Sequence, residues 1–582
     1  ILLDSRPIFS ALSGVYGIEQ IPASMIERVE VMRGGGSALF GSSAIAGTIN
    51  IITKEPMRNS GMLSHTITGI GDGDVFDNST ALNASLVTDD QRAGLYIFGQ
   101  NRHRSAYDHD GDGYSEIPKL HGQTIGFRSF LKTTTYSKLT FEYHHMEEFR
   151  RGGDLLNRPP HEANVAEQTE HSINGGGLKF DYFSPNENHR FNVFASAQHI
   201  NRDSYYGPGD RDPLDAYGNT TDLNWMAGSQ YVYSFGKCIF MPSDLTAGIE
   251  FNQDKLEDNM WGYNRTVDQK VNIGSAFLQN EWKNDHWGFL IGGRLDKHNL
   301  IDHVIFSPRA NLRYNPTENI NLRFSYSSGF RAPQAFDEDL HVENVGGNVA
   351  MVELADNLKE ERSQSLSASA DIYHRFGAFQ VNFLVEGFYT KLSDVFALTD
   401  GEVVDGILTR TRHNASGAQV LGLTLEGKMA YLNKIQVQAG VTLQQSHYSK
   451  PHIWNKEAPA VKKMMRTPNT YGYFTATYTP IKPLSIALSG TYTGSMLVPH
   501  EPVPGFLENP ITVNTKDFFD IGLKAAYDFK LYKSMNLQLN AGIQNIFNAY
   551  QDDFDKGADR DSGYIYGPSL PRSFFAGVKI SY

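Results

Sequence analysis

The chain has one cysteine, no long apolar run and no excess of basic residues, and each shortage removes a class of protein. Cys238 stands alone and cannot close a disulfide within the chain. No stretch of eighteen apolar residues occurs, which excludes a transmembrane helix. A net charge of −13 argues against nucleic acid as a partner. No nucleophile–base constellation is visible, and Gly34-Gly35-Gly36 lacks the following Lys and Ser/Thr of a phosphate loop. No enzyme and no organic cofactor are expected.

What the chain does contain points to strands. Aromatic residues make up 12% of the 582 positions, with 29 Tyr and 35 Phe beside 54 Gly, a profile that favours β-structure and interfacial girdles over helices. The mean hydropathy of −0.39 would ordinarily mean a soluble protein, but a barrel with alternating faces hides its lipid contact from an average. From Gly61 onward, strand-like alternation recurs. Ile320, Leu322, Phe324 and Tyr326 alternate with Asn321, Arg323, Ser325 and Ser327. Phe379, Val381, Phe383 and Val385 do the same, as do Leu484, Ile486 and Leu488. Period two with a clean apolar face is a half-buried strand. A soluble sandwich would alternate likewise, so the number of strands and their connections must decide.

Ten short polar turns fall near residues 90, 135, 185, 236, 284, 315, 376, 433, 480 and 531. Eleven longer segments rich in Gly, Asp, Asn and Pro lie between them, among them 102–120, 148–172, 201–224, 330–360 and 548–572. Ten turns and eleven loops imply 22 antiparallel strands, with short turns on one rim and long loops on the other, as in an outer-membrane barrel. A count near 22 is that of plugged transporters. Phe183, Tyr314, Tyr431, Tyr478 and Phe529 precede short turns, as a girdle at one membrane interface requires.

Residues 24–54, SMIERVEVMRGGGSALFGSSAIAGTINIITK, organise the N-terminal part. An apolar, β-favouring run leads to Arg33 and the cluster Gly34, Gly35 and Gly36; Gly41 and Gly47 then bracket small residues before Ile49-Asn50-Ile51-Ile52. Consecutive glycines allow positive φ and close backbone approach, hence a tight turn. A plain β-hairpin with a glycine turn would read the same locally. The order of residues, however, closely resembles the plug signature of TonB-dependent outer-membrane transporters: an IERIEVLRG-like run, a small-residue turn and an Ala- and Gly-rich link into INIITK. The C-terminal alternation of Phe574, Ala576, Val578, Ile580 and Tyr582 resembles the final strand of outer-membrane proteins, whose terminal aromatic is read by the assembly machinery. Stretches 536–548 and 566–578 resemble the last two strands of the family.

The resemblance, in particular to the cobalamin- and haem-receptor-like, Bacteroidetes-type members, implies an all-β, 22-stranded antiparallel transmembrane β-barrel with an N-terminal plug domain inside the lumen. Residues 1–56 would be the C-terminal part of the plug, 57–60 a linker and 61–582 the barrel. Ile1-Leu2-Leu3-Asp4 starts as if within a strand and without a signal peptide, so the first part of the plug and the energy-coupling box are expected to be missing. The resemblance further implies TonB–ExbB–ExbD as energy source, a monomeric barrel integral to the outer membrane of a Gram-negative bacterium, and room for a surface-exposed lipoprotein cap. A passive porin or an adhesin barrel is the competing class; the plug stretch argues against both.

Asp108, Asp110, Asp112, Tyr114 and Glu116 form the sharpest metal signal. Oxygen ligands at positions 1, 3 and 5, Gly113 at 6 and a backbone carbonyl at 7 match the start of an EF-hand loop for Ca²⁺. Position 12 is Lys119, so Glu116 would have to replace the usual closing glutamate; the competing reading is a solvated acidic loop. Phe330-Arg331-Ala332-Pro333, His341 and Asn357-Leu358-Lys359-Glu360 resemble the pair of motifs around a haem-ligating histidine, with the second motif degraded; a loop histidine paired with Glu338 or Asp339 is the alternative. Tyr205, Tyr206, Tyr217, Trp261, Tyr263 and Trp454 can stack on a flat macrocycle, although Tyr and Trp are also ordinary interface residues. His144-His145-Met146 and Lys463-Met464-Met465 do not form convergent copper sites, because adjacent strand residues face opposite ways. The resemblance ranks a corrinoid first as ligand, since family cobalamin transporters order their loops with calcium; haem follows, then a ferric siderophore. Loops rich in Tyr, Asn, Asp and Gly suit a weakly charged ligand better than an anionic one.

Overall fold

A computed structural model describes residues 1–6, 21–33, 36–42, 44–45, 47–207, 212–263, 265–334, 349–404 and 407–582. From Ser60 to Ser581 the chain runs up and down as an antiparallel sheet that closes on itself. The segments Val461–Lys463 and Thr470–Ile481 pair with the same neighbour, Ile435–His452, and form one interrupted strand, which leaves 22 strands in the closed sheet among the described residues. The last strand, Ser573–Ser581, pairs with the first, Ser60–Ile70, and the Gly61 and Tyr582 backbones exchange hydrogen bonds at the seam. Closure removes both sheet edges, the condition for a sheet in lipid.

Side-chain alternation assigns the faces. Phe574, Val578 and Ile580 are exposed on the outside, as are Leu63 and Ile67 on the neighbouring strand. Leu322 and Phe324 also point out, whereas Arg323, Ser325 and Ser327 line the lumen, as the period-two pattern required. Rings gather at the short-turn rim: Trp287 stacks on Tyr314 at 4.2 Å and Phe379 lies 4.4 Å from Tyr431.

The short connections fall at 88–92, 135–136, 184–188, 239–240, 284–286, 318–319, 377–378, 432–434, 482–483 and 533–534. The turn expected near 236 is displaced: the strand continues through a bulge to Cys238 and turns at Ile239 and Phe240. An apolar turn escapes a search for polar residues. Here Phe240 stacks on Trp282 at 5.5 Å, joining the interfacial girdle rather than facing bulk water. The opposite rim differs from expectation in another way. Residues 105–114 and 154–165 are shorter than the polar segments containing them, because the flanking strands are long, as with the 20 residues of Ser115–Thr134. The first connection on this rim has only four residues, 71–74.

Inside sits a small three-stranded sheet. Leu2–Leu3 (β1) pairs parallel with Gly47–Thr53 (β3), which pairs antiparallel with Ile26–Arg33 (β2); the short helix Ser37–Phe40 (α1) lies between β2 and β3. The plug sheet packs by an apolar contact: Leu3, Met25 and Ile51 join the inward-facing Tyr96, Phe98, Met146, Ile173, Ile200 and Leu256 of the barrel. These inward residues interrupt the polar lining where the plug covers it.

Candidate functional site

The plug is tied to the wall by charge. Arg33, at the end of β2, donates one Nη to Glu386 and the other to Glu426, both at 2.7 Å. A planar guanidinium with a fixed fork of donors is suited to bridging two carboxylates on adjacent strands. Behind it, Gly36 does not need positive φ, which is −112°; it needs space, because a Cβ there would lie 2.5 Å from Met32 Cε and 2.6 Å from Thr48 Oγ1. Gly41 does take the left-handed conformation, φ +74°, where α1 ends, and Gly47 lies against the Met32 carbonyl. Gly34 and Gly35 lie outside the described residues.

A second network joins the other flank. Arg6 reaches Glu142 at 2.5 Å, Arg128 reaches Asp4 at 2.5 Å, and Lys138 binds Glu55 at 2.9 Å. Arg6, Glu142 and Arg128 are all largely buried, so their pairing answers the cost of charge away from water. Sequence reading missed this cluster. Its signal was charge at inward positions of otherwise apolar-alternating strands. The FRAP segment also anchors the plug: Phe330 N–H donates to Ser37 Oγ at 3.0 Å, and Phe330 and Ala332 are buried. One strand further, Ser363 Oγ donates to the Ile45 carbonyl at 2.5 Å.

At the long-loop rim, the acidic loop folds around its own amides. Asp108 accepts from Gly111 and Gly113, whose φ values are +76° and +93°, at 2.7 and 2.8 Å; Asp112 accepts from Tyr114 N–H at 2.9 Å. Carboxylate oxygens of Asp108, Asp110 and Glu116 all lie within 4.8 Å of one another. Asp112 is turned away: its other oxygen takes the Gly557 amide at 2.8 Å and the Arg560 guanidinium. Arg560 also donates to Glu116 at 2.8 Å, and Lys556 lies 3.4 Å from Asp110. Burial works against ionisation of Asp112, but the amides of Gly557 and Tyr114 and the Arg560 charge outweigh it and hold the carboxyl below its ordinary value. Three clustered carboxylates suit a hard divalent cation, which would compete with Lys556 for the Asp110 oxygen that the lysine pairs. Asp108, Asp110 and Glu116 are the residues that would hold Ca²⁺, with Asp112 engaged elsewhere.

The last loop, 545–572, therefore docks on the acidic loop. His109 meets Tyr550 edge-on at 4.9 Å. The same loop braces the hairpin Leu497–His500 and Ile511–Asn514: His500 stacks on Tyr564 at 3.8 Å and bonds Asp555 at 2.9 Å.

The aromatic candidates do not converge. Tyr205 and Tyr206 are buried; Tyr205 packs edge-on against Tyr217 at 4.8 Å, and Tyr217 OH meets His161 at 2.8 Å. These rings pack the base of the loops, so their faces are not offered to a ligand. Trp261 is 66% exposed and Trp454 half-buried. The Tyr263 side chain and His341 lie outside the described residues. Glu360, the last residue of the degraded second motif, is buried and holds His303 at 3.0 Å and Arg362. His144 faces the lumen and is buried against Gly175, while His145 points the other way to Asn174, as strand alternation dictates.

A closed barrel with an apolar outer belt, filled by its own N-terminal sheet, is a plugged outer-membrane barrel. Comparison with known proteins makes the class specific. The TonB dependent receptor-like β-barrel family matches residues 61–546, and the TonB-dependent receptor plug domain matches residues 1–48. The chain belongs to the TonB-dependent receptors, a family of receptors and transporters rather than enzymes, and is an integral outer-membrane protein of a Gram-negative bacterium. It is 26% identical over 353 residues to the iron-regulated outer membrane virulence protein of Vibrio cholerae, covering 57% of this chain and 49% of that one. It is 23% identical over 349 residues to the vitamin B12 transporter BtuB of Vibrio vulnificus, covering 58% and 52%. The chain thus spans about half the length of the curated relatives it matches. The siderophore receptor PirA from Acinetobacter baumannii superposes with a TM-score of 0.78 at 17% identity, over 100% of this chain and 90% of that one. PirA from Pseudomonas aeruginosa gives 0.73 at 15%, with the same coverage. At these identities the likeness is one of fold.

Proposed function

We propose that the protein captures a corrinoid at the long-loop rim and imports it through the lumen when TonB–ExbB–ExbD draws on the plug, with Ca²⁺ ordering the capture surface. The observation that carries this reading is the convergence of Asp108, Asp110 and Glu116 in a loop that the last extracellular loop grips through Arg560. A cation there lowers the repulsion among the carboxylates and fixes two loops before the ligand arrives, which reduces the entropy lost on capture. The BtuB relative is named for vitamin B12 transport, which supports a corrinoid as the cargo. The barrel acts as a monomer, and a surface lipoprotein is a further candidate partner over the loop rim.

A ferric siderophore is the second reading, favoured by the ferric enterobactin receptor of Pseudomonas aeruginosa, 24% identical over 404 residues. Haem has less support, since the second of the two motifs around His341 is degraded. Calorimetry on the purified protein with cyanocobalamin, haemin and a ferric catecholate, with Ca²⁺ and with chelator, tests the order. Submicromolar cyanocobalamin binding that weakens in chelator is expected. Haemin binding lost in His341→Ala, with no heat from cyanocobalamin, would reverse it.

A further inference from the structure

The outer face of the barrel changes character partway up one side. Ser115–Thr134, Ser137–Gly153, Ala166–Phe183 and His189–Gly207 have 20, 17, 18 and 19 residues. At about 3.3 Å per residue and a tilt of about 40°, such strands climb about 40–50 Å, nearly twice the height of the apolar band of an outer-membrane barrel. The upper part of this wall therefore stands clear of the hydrocarbon.

Where the apolar band ends, register lays polar side chains in a row. Thr80, Asn101, Gln123, Glu147, Ser172 and Asn201 are successive cross-strand partners on six adjacent strands. The row beneath begins with Leu82, Gly99 and Ile125. Leu82 and Ile125 are 47% and 60% exposed, so this face points outward, and the polar row two residues above points the same way. With strands about 4.8 Å apart, the polar row is about 24 Å long.

Two shallow grooves follow this row and share Gln123 and Glu147. The first, about 550 Å³, rises from Leu82 and Ile125 to Asn101. The second, about 370 Å³, continues past Glu170, Asn201 and Asp203. Gly99 opens the foot of the first groove. A Cβ there would make only ordinary contacts, 3.4 Å from the Thr124 carbonyl and 3.8 Å from Leu82, so the space is a dent in the wall rather than a packing requirement.

The polar groups along the grooves are held in position. Asn219 donates to Asp203 at 2.7 Å and Gln168 donates to Glu170 at 3.1 Å. His145 lies 3.2 Å from Glu147 and 3.0 Å from Asn174 Oδ1. Among the described residues neither groove is lined by Lys or Arg; Lys119 sits at the upper end, over the Phe149 ring. Fixed carboxylates and amides supply the acceptors and donors that adjacent hydroxyls need. Three outward carboxylates against two imidazoles repel a phosphate.

We propose that this row is a binding site for the neutral sugars of an outer-leaflet glycolipid, with one acyl chain in the dent at Gly99. Position names the occupant. The first groove starts on the lipid-facing band, so a molecule lying along it is apolar at one end and rich in hydroxyls at the other. In the outer leaflet of a Gram-negative membrane that molecule is a glycolipid. Its phosphates turn away from the wall, and its sugars brace the strands that carry loops 105–114 and 154–165. The inference is independent of which cargo the barrel imports.

The test titrates the full chain in detergent, with its folded state checked by heat-modifiable gel mobility, and reads bound lipid by native mass spectrometry. The probes are a rough lipopolysaccharide carrying core hexoses, the same lipid after removal of its phosphates, and lipid A alone. The first two should bind within about twofold of each other and at least tenfold tighter than lipid A. Gln123→Ala/Glu147→Ala should weaken the hexose-bearing probe about tenfold. Gly99→Leu fills the dent, leaves the polar row intact and should weaken it at least threefold. Gln445→Ala, outward on another sector of the wall, should change nothing. In cells, a photoreactive phenylalanine analogue in place of Asn101 should cross-link to glycolipid. Equal binding of lipid A, loss of binding on dephosphorylation, parent-like binding by both the Gln123/Glu147 and Gly99 variants, or cross-links to protein alone would overturn the proposal.

Discussion

Arg560 donates to Glu116 at 2.8 Å across 444 positions of sequence, joining the last extracellular loop to the acidic one. The Glu116 side chain is 2% exposed, so this is a buried charge pair. Breaking one by truncation of a single partner costs about 3–5 kcal/mol.

Arg560 also competes with a metal for the same carboxylates, which gives a prediction with two signs. In chelator, Arg560→Ala should destabilise the loop rim, seen as protease cleavage within 105–114. In calcium the variant should recover, and its Ca²⁺ affinity by calorimetry should rise about tenfold as Asp112 is released, a change of about 1.4 kcal/mol. Asp110→Ala should abolish Ca²⁺ binding. Weaker calcium binding in Arg560→Ala would show that the arginine supports the site rather than competing for it.

The plug network predicts an asymmetry between two substitutions at one position. Glu142→Ala leaves Arg6 and Arg128 facing each other without their shared carboxylate and should loosen the plug by about 3 kcal/mol. Glu142→Gln retains an acceptor and should cost less. Limited proteolysis in detergent, with the barrel monitored by heat-modifiable gel mobility, separates plug release from barrel unfolding. Equal cleavage in both variants would mean that the network is incidental.

Much of the barrel was legible because lipid on one side and a polar lumen on the other impose period two, and because each short turn must join adjacent strands. Ile239-Phe240 escaped for a physical reason: a membrane interface accepts an apolar turn that water would not. Arg33 stood out in the plug motif, but its partners Glu386 and Glu426 lie 353 and 393 residues away, and no local pattern links them. Tyr205 and Tyr206 misled because loop composition does not reveal which ring packs another ring. The acidic loop was legible in its spacing, whereas the diversion of Asp112 to Arg560 depends on a loop folded over it from the far end of the chain.

The last loop also predicts an alkaline transition. Tyr564 and Tyr566 both donate to Asp553, at 2.8 and 2.6 Å. Burial, then the hydrogen bond to Asp553, pushes both phenols well above the ordinary tyrosine value near 10. For a group whose folded value is raised, stabilisation is complete below the unfolded value and is lost as pH rises through the folded one. The loop should therefore hold through pH 10 and detach above it. Absorbance at 295 nm should show these two among the late-titrating tyrosines, which include Tyr550, and Asp553→Asn should bring the two down toward the bulk. Late titration persisting in that variant would assign the shift to burial alone.

One strand carries the decisive contrast between the two faces of the wall. On Trp287–His298, Ile291 points out and is 63% exposed, whereas Arg294 points in, 4% exposed, bonded to Glu250 at 2.6 Å and Asp296 at 2.8 Å. Arginine on the lipid face costs about 2–4 kcal/mol near the bilayer midplane. Ile291→Arg should lower stability by about that amount in urea unfolding from phospholipid vesicles. Arg294→Ile should cost at least as much, about 3–5 kcal/mol, because it strands two carboxylates in the lumen. In a water-soluble barrel the outward change would be nearly neutral. A neutral Ile291→Arg in vesicles would therefore contradict the lipid assignment of this face, while a neutral Arg294→Ile would mean that Glu250 and Asp296 find other partners when the arginine is gone.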